Sequence, residues 1–190
     1  LVPFENDNYQ IVICNSKVER GLVDSEYNQR RSECNQAVEF FAEKEDKNIR
    51  ALRDVDLETV VKYKDQLAEN VYKRAHHVVS ENERVLASKK ALEADDMQKF
   101  GDLMYASHKS LSEDYEVSCK ELDILVKLAA EEEVEGARMT GAGFGGCTVN
   151  LVKKAEVDDF VNNIKEKYKA ETGIEAEVYV SNPGDGARKL

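Results

Sequence analysis

Apolar residues follow strand-like patterns near both ends of this chain and recur at helical spacing between them. Residues 9–14 (YQIVIC) form a short run rich in β-branched and aromatic side chains, which predicts a buried strand. Residues 24–45 predict a long helix, and two further helices are predicted over residues 56–68 and 69–93. The inward stripe of the first helix contains Cys34, Ala37, Val38 and Phe41.

Two capping-box patterns predict where the following helices begin. Asp95 with Gln98 three residues later marks the first start, and Ser118 with Glu121 marks the second. Each box is followed by apolar residues at helical spacing, which predicts a helix with one buried face. These residues are Phe100, Leu103, Met104 and Leu111 after the first box, and Leu122, Leu125, Val126 and Ala129 after the second.

The period changes again in the last third of the chain. Residues 147–152 (CTVNLV) alternate as in a strand, and residues 157–172 repeat as in a helix that Gly173 ends. Residues 176–181 (AEVYVS) predict another strand. With Arg138–Thr140 leading into the glycine loop, the tail is predicted to be strand, loop, strand, helix, strand.

This order of elements predicts one α+β domain over residues 1–190. A helix-rich insertion at about residues 48–133 precedes a glycine loop at residues 136–147, and Pro183-Gly184 closes the last strand. The chain opens at Leu1 without methionine and a strand follows at once, which indicates either a cut from a longer chain or a processed start, and we favour the cut.

The glycine loop is the strongest chemical signal, because four of the ten glycines fall within residues 141–146. Glycine tolerates positive φ and lets a backbone approach another group closely, often a phosphate. A dinucleotide-binding G-x-G-x-x-G needs a helix after the motif, whereas a strand follows here, and no G-K-[ST] follows to make a P-loop. Two interpretations remain: a tight hairpin in which the glycines serve turn geometry only, or a loop that lies beside a phosphate.

Composition narrows the class of partner. The net charge of −11, with Lys and Arg dispersed among Glu and Asp, argues against nucleic-acid binding. We expect no membrane span and no secretory leader, since no apolar run is long enough and no basic start precedes one. The four cysteines form no C-x-x-C pair, which predicts reduced thiols in the cytoplasm and no zinc site.

Residues 138–147 (RMTGAGFGGC) resemble the third signature motif of the galactokinases, which belong to the GHMP kinase superfamily. The resemblance spans nearly all of the chain and is specific to galactokinases more than to the superfamily. Two departures, His76 in place of the family's usual arginine and Lys120 in place of a frequent proline, touch no residue with a chemical role. Further matching segments occur in the family's order: 25–34 (SEYNQRRSEC), 74–81 (RAHHVVSE), 107–111 (SHKSL) and 114–123 (DYEVSCKELD).

The resemblance implies a ferredoxin-like GHMP kinase C-terminal domain, with an antiparallel sheet packed with helices. The whole enzyme is expected to transfer a phosphoryl group from Mg-ATP to O1 of galactose. The family's sugar-recognition motif, Ser-rich phosphate loop and catalytic aspartate do not occur in this sequence, so we expect no catalytic residue and no metal ligand in it. The expected partner is the N-terminal domain of the same polypeptide, which would supply most of the ligands of Mg²⁺. The isolated chain is expected to be inactive.

Two alternatives share these motifs. One is a non-catalytic sensor of galactose and ATP that regulates transcription through a partner, and the other is an N-acetylgalactosamine kinase. The catalytic segment upstream would separate the first alternative from a galactokinase. Side-by-side turnover of the two sugars would separate the second.

Residue by residue, the resemblance assigns Tyr27 to galactose binding, although a tyrosine at a helix N-terminus also packs on a core. Thr140 is assigned as a hydroxyl donor near the phosphate. Arg138 either braces the loop through an ion pair or contacts the phosphate, and we favour bracing. The amides expected beside the transferred phosphate are those of Gly141, Gly143, Gly145 and Gly146.

The three histidines do not predict a metal site. Adjacent His76 and His77 point about 100° apart on a helix, so they cannot share a ligand. His108 borders an apolar stripe and is predicted to be a hydrogen-bonded core residue.

Overall fold

The structure, a computed structural model, describes residues 4, 6–18, 23–182 and 184. Pro183, which was predicted to close the last strand, lies outside the described residues. Three short 3₁₀ turns lie at Leu52–Asp54, Lys64–Gln66 and Lys154–Glu156. The strands are β1 (Tyr9–Asn15), β2 (Gly136–Thr140), β3 (Cys147–Lys153) and β4 (Glu177–Ser181), and the helices are α1 (Val23–Lys44), α2 (Leu57–Lys62), α3 (Glu69–Glu93), α4 (Met97–Glu113), α5 (Lys120–Glu131) and α6 (Val157–Thr172).

The four strands form one antiparallel sheet in the order β2-β3-β1-β4. β1 lies inside the sheet, where Ile11 is opposite Leu151 of β3 and Ser181 of β4. A β-α-β-β-α-β chain order with this strand order is the ferredoxin-like arrangement, here with five helices between β1 and β2. The predicted α+β, ferredoxin-like fold class is therefore confirmed, while the insertion boundaries of 48–133 stay a prediction.

One face of the sheet packs against α5 and α6. Val12 and Val152 from the sheet join Leu125 of α5 and Ile164 of α6 in one buried cluster. Thr148 and Asn150, the polar residues that alternate with apolar ones along β3, lie among them and are fully buried. The Asn150 amide nitrogen donates to the Val12 carbonyl at 2.9 Å, which supplies a partner for a polar group in the core.

The opposite face packs against α4, which lies beside β2. Met97 and Met104 contact Leu151 there, with Ile11 and Val149 beside them. Gly101 of α4 allows this approach, because a Cβ at that position would lie 1.7 Å from the Glu135 carbonyl oxygen. As a result the second half of α4 runs towards the end of β2 that leads into the glycine loop.

The remaining helices have a core of their own. Phe41 of α1, Val60 of α2 and Val79 of α3 belong to one buried cluster that does not involve the sheet. The predicted helices over residues 24–45 and 69–93 are confirmed within one residue at each end. The predicted helix over residues 56–68 is instead a short helix followed by a 3₁₀ turn.

Both predicted capping boxes are wrong by one residue. Asp96 rather than Asp95 caps α4, and its carboxylate accepts from the Lys99 amide at 2.9 Å. Asp95 is in the left-handed region with φ 52°, so it belongs to the preceding turn. At α5 the N-cap is Cys119, because the Ser118 hydroxyl donates to the Asp123 carboxylate at 2.6 Å instead of capping the helix.

Candidate functional site

The glycine loop connects β2 to β3 as a tight hairpin. Thr140 pairs with Cys147 at the end of the ladder, and residues 141–146 make the turn. Phe144 also adopts positive φ (60°), which is uncommon for a residue with a side chain. The glycines have left-handed or otherwise positive φ values, namely 87° at Gly141, 90° at Gly143, 135° at Gly145 and 92° at Gly146.

Two of these glycines are required by contacts of the chain with itself. A Cβ at Gly143 would lie 2.1 Å from the Val117 carbonyl oxygen. A Cβ at Gly145 would lie 2.7 Å from the Val18 carbonyl oxygen. Turn geometry and self-packing therefore account for Gly143 and Gly145 without any ligand.

The tip of the loop is different, because it faces outwards. Thr140, Gly141 and Ala142 are exposed, whereas Gly143 and Gly145 are buried. Within the described ranges, the backbone amides of Gly141 and Ala142 have no hydrogen-bond acceptor. Free amides beside a positive-φ glycine are the groups that bind anions in backbone concavities, so the tip fits a phosphate.

Arg138 lies on β2, two residues before the tip, and its guanidinium turns towards α3. Nη1 is 3.4 Å from the Glu81 carboxylate, and Nε donates to the Met139 carbonyl at 3.1 Å. Glu81 also accepts from the Ser107 hydroxyl at 2.5 Å and from Arg84 at 2.6 Å. Although burial alone would raise it, these hydrogen bonds hold the pKa of Glu81 below its ordinary value.

The same side chains line an open cleft of about 600 Å³ between α3, α4 and the sheet. Leu103 and Val149 supply apolar surface there, and Arg84, Arg138 and Thr140 supply polar groups. The cleft therefore joins the glycine loop to the α3–α4 surface.

Tyr27 lies in the first turn of α1 with 53% of its surface exposed. It is close to Tyr115, whose pKa is raised to about 12 by burial first, then by Cys34 and, more weakly, by Tyr27. Tyr115 packs in the same cluster as Phe144 of the glycine loop. Tyr27 and the loop therefore both lie near the turn formed by residues 114–117, and about half of the Tyr27 surface is accessible.

The histidines are structural. His108 is buried, and its Nδ1 accepts from the Met139 amide at 3.2 Å, which confirms the predicted hydrogen-bonded core residue. Nε2 of His108 lies 3.1 Å from the Asp123 carboxylate. His77 stacks on Tyr115 with ring centroids 4.6 Å apart, while the adjacent His76 lies 3.2 Å from Asp114.

Two absences bear on cofactors and membranes. Over the described part of the chain, no group of three or more His, Cys, Asp or Glu side chains is placed to hold a metal ion. In the same ranges, no helix has both the length and the apolar character needed to cross a bilayer.

Two residues that anchor the 114–117 turn beside the loop were not predicted from the sequence. Arg74 and Glu33 are buried and paired across 41 residues, although each occurs within a segment that resembles the family. The available signal was the position of Arg74 between Val71 and Ala75 on the buried face of α3. A charged residue on such a face is rarely fully buried unless it is paired.

Comparison with known proteins agrees with this geometry. Residues 88–170 match the family model for the C-terminal domain of GHMP kinases. A galactokinase of Fusobacterium nucleatum is 47% identical over 191 residues, which is 100% of this chain and 49% of that protein. A galactokinase of Clostridium beijerinckii is 49% identical over 186 residues, 97% of this chain and 47% of that protein. The chain therefore spans about half the length of the curated relatives it matches.

Solved structures show the same relationship. The crystal structure of Lactococcus lactis galactokinase complexed with galactose superimposes with a TM-score of 0.91 at 39% identity, over 99% of this chain and 48% of that one. The mevalonate kinase of L. major, in complex with R-mevalonate, superimposes with a TM-score of 0.58 at 20% identity over 94% of this chain and 44% of that one. At that identity the second match shows the fold alone.

Proposed function

Because this chain belongs to the GHMP kinase C-terminal family and matches galactokinases along its whole length, we propose that it is one half of an ATP-dependent galactose 1-kinase. The observation that carries the proposal is the exposed loop tip at Gly141 and Ala142, whose amides meet no acceptor among the described residues, on a chain that superimposes on a galactose-bound galactokinase. The N-terminal half of the same polypeptide is the proposed partner, and the cytoplasm, where the four free cysteines would stay reduced, is the proposed location.

In the proposed reaction, O1 of galactose attacks the terminal phosphorus of ATP while the bond to the ADP oxygen breaks. The products are galactose 1-phosphate and ADP, and the hydroxyl proton leaves to a base outside this chain. Phosphoryl transfer depends mainly on positioning and on stabilising the charge of the transferred group. The loop amides and the Thr140 hydroxyl supply fixed donors for that charge, and the Tyr27 hydroxyl supplies a hydrogen bond to the sugar.

Mg²⁺ would enter with the nucleotide and neutralise the phosphate charges. The side chains of this chain fit that role only indirectly, because its described residues offer an anion-binding edge and no cluster of carboxylates. We therefore assign the metal to the N-terminal half, together with the catalytic carboxylate.

A coupled assay of ADP release tests the proposal. The isolated 190-residue chain should release no ADP with galactose and Mg-ATP, and the full-length protein should turn over at about 1–100 s⁻¹, the usual range for kinases. Turnover at that rate by the isolated chain would contradict the proposed division between the halves. A full-length protein that binds galactose and releases no ADP would be a sensor, and one that prefers N-acetylgalactosamine would have a different substrate.

A further inference from the structure

A buried arginine of α3 joins three parts of the chain. Arg74 is 2% exposed, and each of its guanidinium nitrogens donates a hydrogen bond. Nε donates to the Glu33 carboxylate at 2.7 Å, Nη1 to the Asp114 carbonyl at 2.5 Å and Nη2 to the Glu116 carboxylate at 2.7 Å. One side chain thus connects α1, α3 and the 114–117 turn with the fixed geometry of a planar fork.

A second buried arginine holds the same turn from α1. Arg30 lies one helical turn after Tyr27 and is 7% exposed. Its Nε donates to the Tyr115 carbonyl at 2.8 Å, and its Nη2 donates to the Glu116 carbonyl at 2.9 Å. The helix that carries Tyr27 is therefore fixed to the backbone of the turn.

The 114–117 turn contacts the glycine loop directly. The Phe144 amide donates to the Val117 carbonyl at 2.7 Å, and Gly143 packs against the same carbonyl. Glu116 (φ 54°) and Phe144 (φ 60°) both adopt the left-handed region, which costs about 1–2 kcal/mol for each residue that is not glycine. Such conformations persist where surrounding contacts over-determine them.

Stability alone is a weak reason for this arrangement, because a buried ion pair can often be replaced by apolar residues without loss of stability. A geometric role explains it better, since two of the three hydrogen bonds of Arg74 and both hydrogen bonds of Arg30 end on the 114–117 turn. We infer that Arg74 and Arg30 are positioning residues, which hold the glycine loop in register with Tyr27 through the 114–117 turn. For its effect on catalysis this inference rests on the proposed function, whereas its structural part does not.

The test needs a variant that breaks the contacts of Arg74 without leaving a buried charge. Arg74→Met combined with Glu33→Gln does this for the Arg74–Glu33 pair, because it removes both of its members, and Arg30, which also lies near Glu33, keeps Glu26 at 3.7 Å. Arg30→Lys is the second variant, since lysine keeps the charge and lacks the fork that reaches both carbonyls. Phe160→Leu is the matched control, because Phe160 is buried in α6, which starts at the end of β3 away from the glycine loop.

Hydrogen–deuterium exchange measured by mass spectrometry on the full-length protein gives the structural readout. We expect the peptide that contains Phe144 to exchange at least tenfold faster in the Arg74→Met/Glu33→Gln variant, and faster in Arg30→Lys, than in Phe160→Leu. For each variant the temperature is chosen so that the free energy of unfolding is the same in all three proteins. Equal exchange of that peptide in all three would overturn the inference.

Steady-state kinetics on the same proteins give the second readout. We expect kcat/KM for galactose to fall at least tenfold in both arginine variants and to stay within twofold in Phe160→Leu. Faster loop exchange with unchanged kcat/KM would support the positioning contacts and count against the proposed function of the loop. A loss of kcat/KM without faster exchange would contradict the positioning role.

Discussion

The carbonyl oxygen of Val117 occupies the space next to Gly143 where any other residue would place its Cβ, at a separation of 2.1 Å. The meeting of two backbones is therefore enough to require glycine at position 143. Gly141, in contrast, is exposed at the tip of the same loop, and its amide has no acceptor in the part of the chain that the structure describes. One short motif thus combines a structural glycine with a glycine at the proposed phosphate contact.

Gly143→Ala should destabilise the fold. The new methyl group meets a backbone oxygen and the residue must keep φ near 90°, so we expect a loss of at least about 2 kcal/mol in the free energy of unfolding. The resemblance assigned Gly143 to the phosphate, and the contact with Val117 adds a structural reason for glycine at this position. Denaturant unfolding measures the change, and a loss below about 0.5 kcal/mol would contradict the contact.

Gly141→Ala should affect activity more than stability. The residue is exposed, so the main cost to the fold is its φ of 87°, about 1–2 kcal/mol. The backbone amide is kept, but the added methyl group lies at the edge where the transferred phosphate is proposed to bind and would hold it away from the loop amides. We expect kcat to fall by roughly a hundredfold, as when one charge-stabilising donor is lost. ADP release and unfolding are measured on the same full-length protein, with Gly143→Ala as the matched comparison. A kcat within twofold of the unsubstituted protein would exclude the tip from the reaction.

Tyr27→Phe should weaken galactose binding without changing the fold. Because the side chain is half exposed, its hydroxyl contributes little to stability, while a lost hydrogen bond to the sugar costs about 0.5–1.5 kcal/mol, or roughly a twofold to tenfold higher KM. The KM for ATP should stay constant, which makes it the internal control. An unchanged KM for galactose would favour the alternative in which Tyr27 only packs on its neighbours.

The fold was largely predictable from the sequence because its strands and helices differ in period. The alternation in β3 and the glycine that ends α6 are local signals, and both are observed. The starts of α4 and α5 were not predictable to the residue. At α4, the choice of Asp96 over Asp95 as the cap depends on a turn that the pattern does not specify. The burial of Thr148 on β3 could not be foreseen either, since it depends on which helices cover that face.

The candidate site was also only partly predictable from the sequence. The glycine cluster marked the loop, and the resemblance to a family supplied its role and that of Tyr27. The reason for Gly143 and Gly145 lies in residues far away in sequence. Val117, which requires Gly143, and Arg74, which holds the turn, reach the loop only through the tertiary fold. No local pattern separates a glycine that faces the chain from one that faces a ligand.

His77 should make stability depend on pH. Burial is the main cause that lowers its pKa from 6.5 to about 4 in the folded protein. Between these values the unfolded chain binds more protons, so the free energy of unfolding should fall as the pH is lowered, by at most about 1.4 kcal/mol per pH unit. The free energy of unfolding is measured from pH 6.5 to 5, a range above the pKa of most carboxylates. It should change less with pH in His77→Gln than in Phe160→Leu. Equal slopes would show that His77 does not carry this dependence.

Arg138 and Glu81 should act as a pair if Arg138 braces the loop. Their side chains are 3.4 Å apart and partly exposed, so a double-mutant cycle of Arg138→Gln and Glu81→Gln should give a coupling of about 0.5–1 kcal/mol in unfolding. Because bracing acts through the pair, each single variant should lower kcat by a similar factor, and the double variant should lose little more. If Arg138 instead contacts the phosphate, its variant alone will lose activity and Glu81→Gln will retain it. The kinetic cycle therefore separates the two roles even if the stability coupling is small.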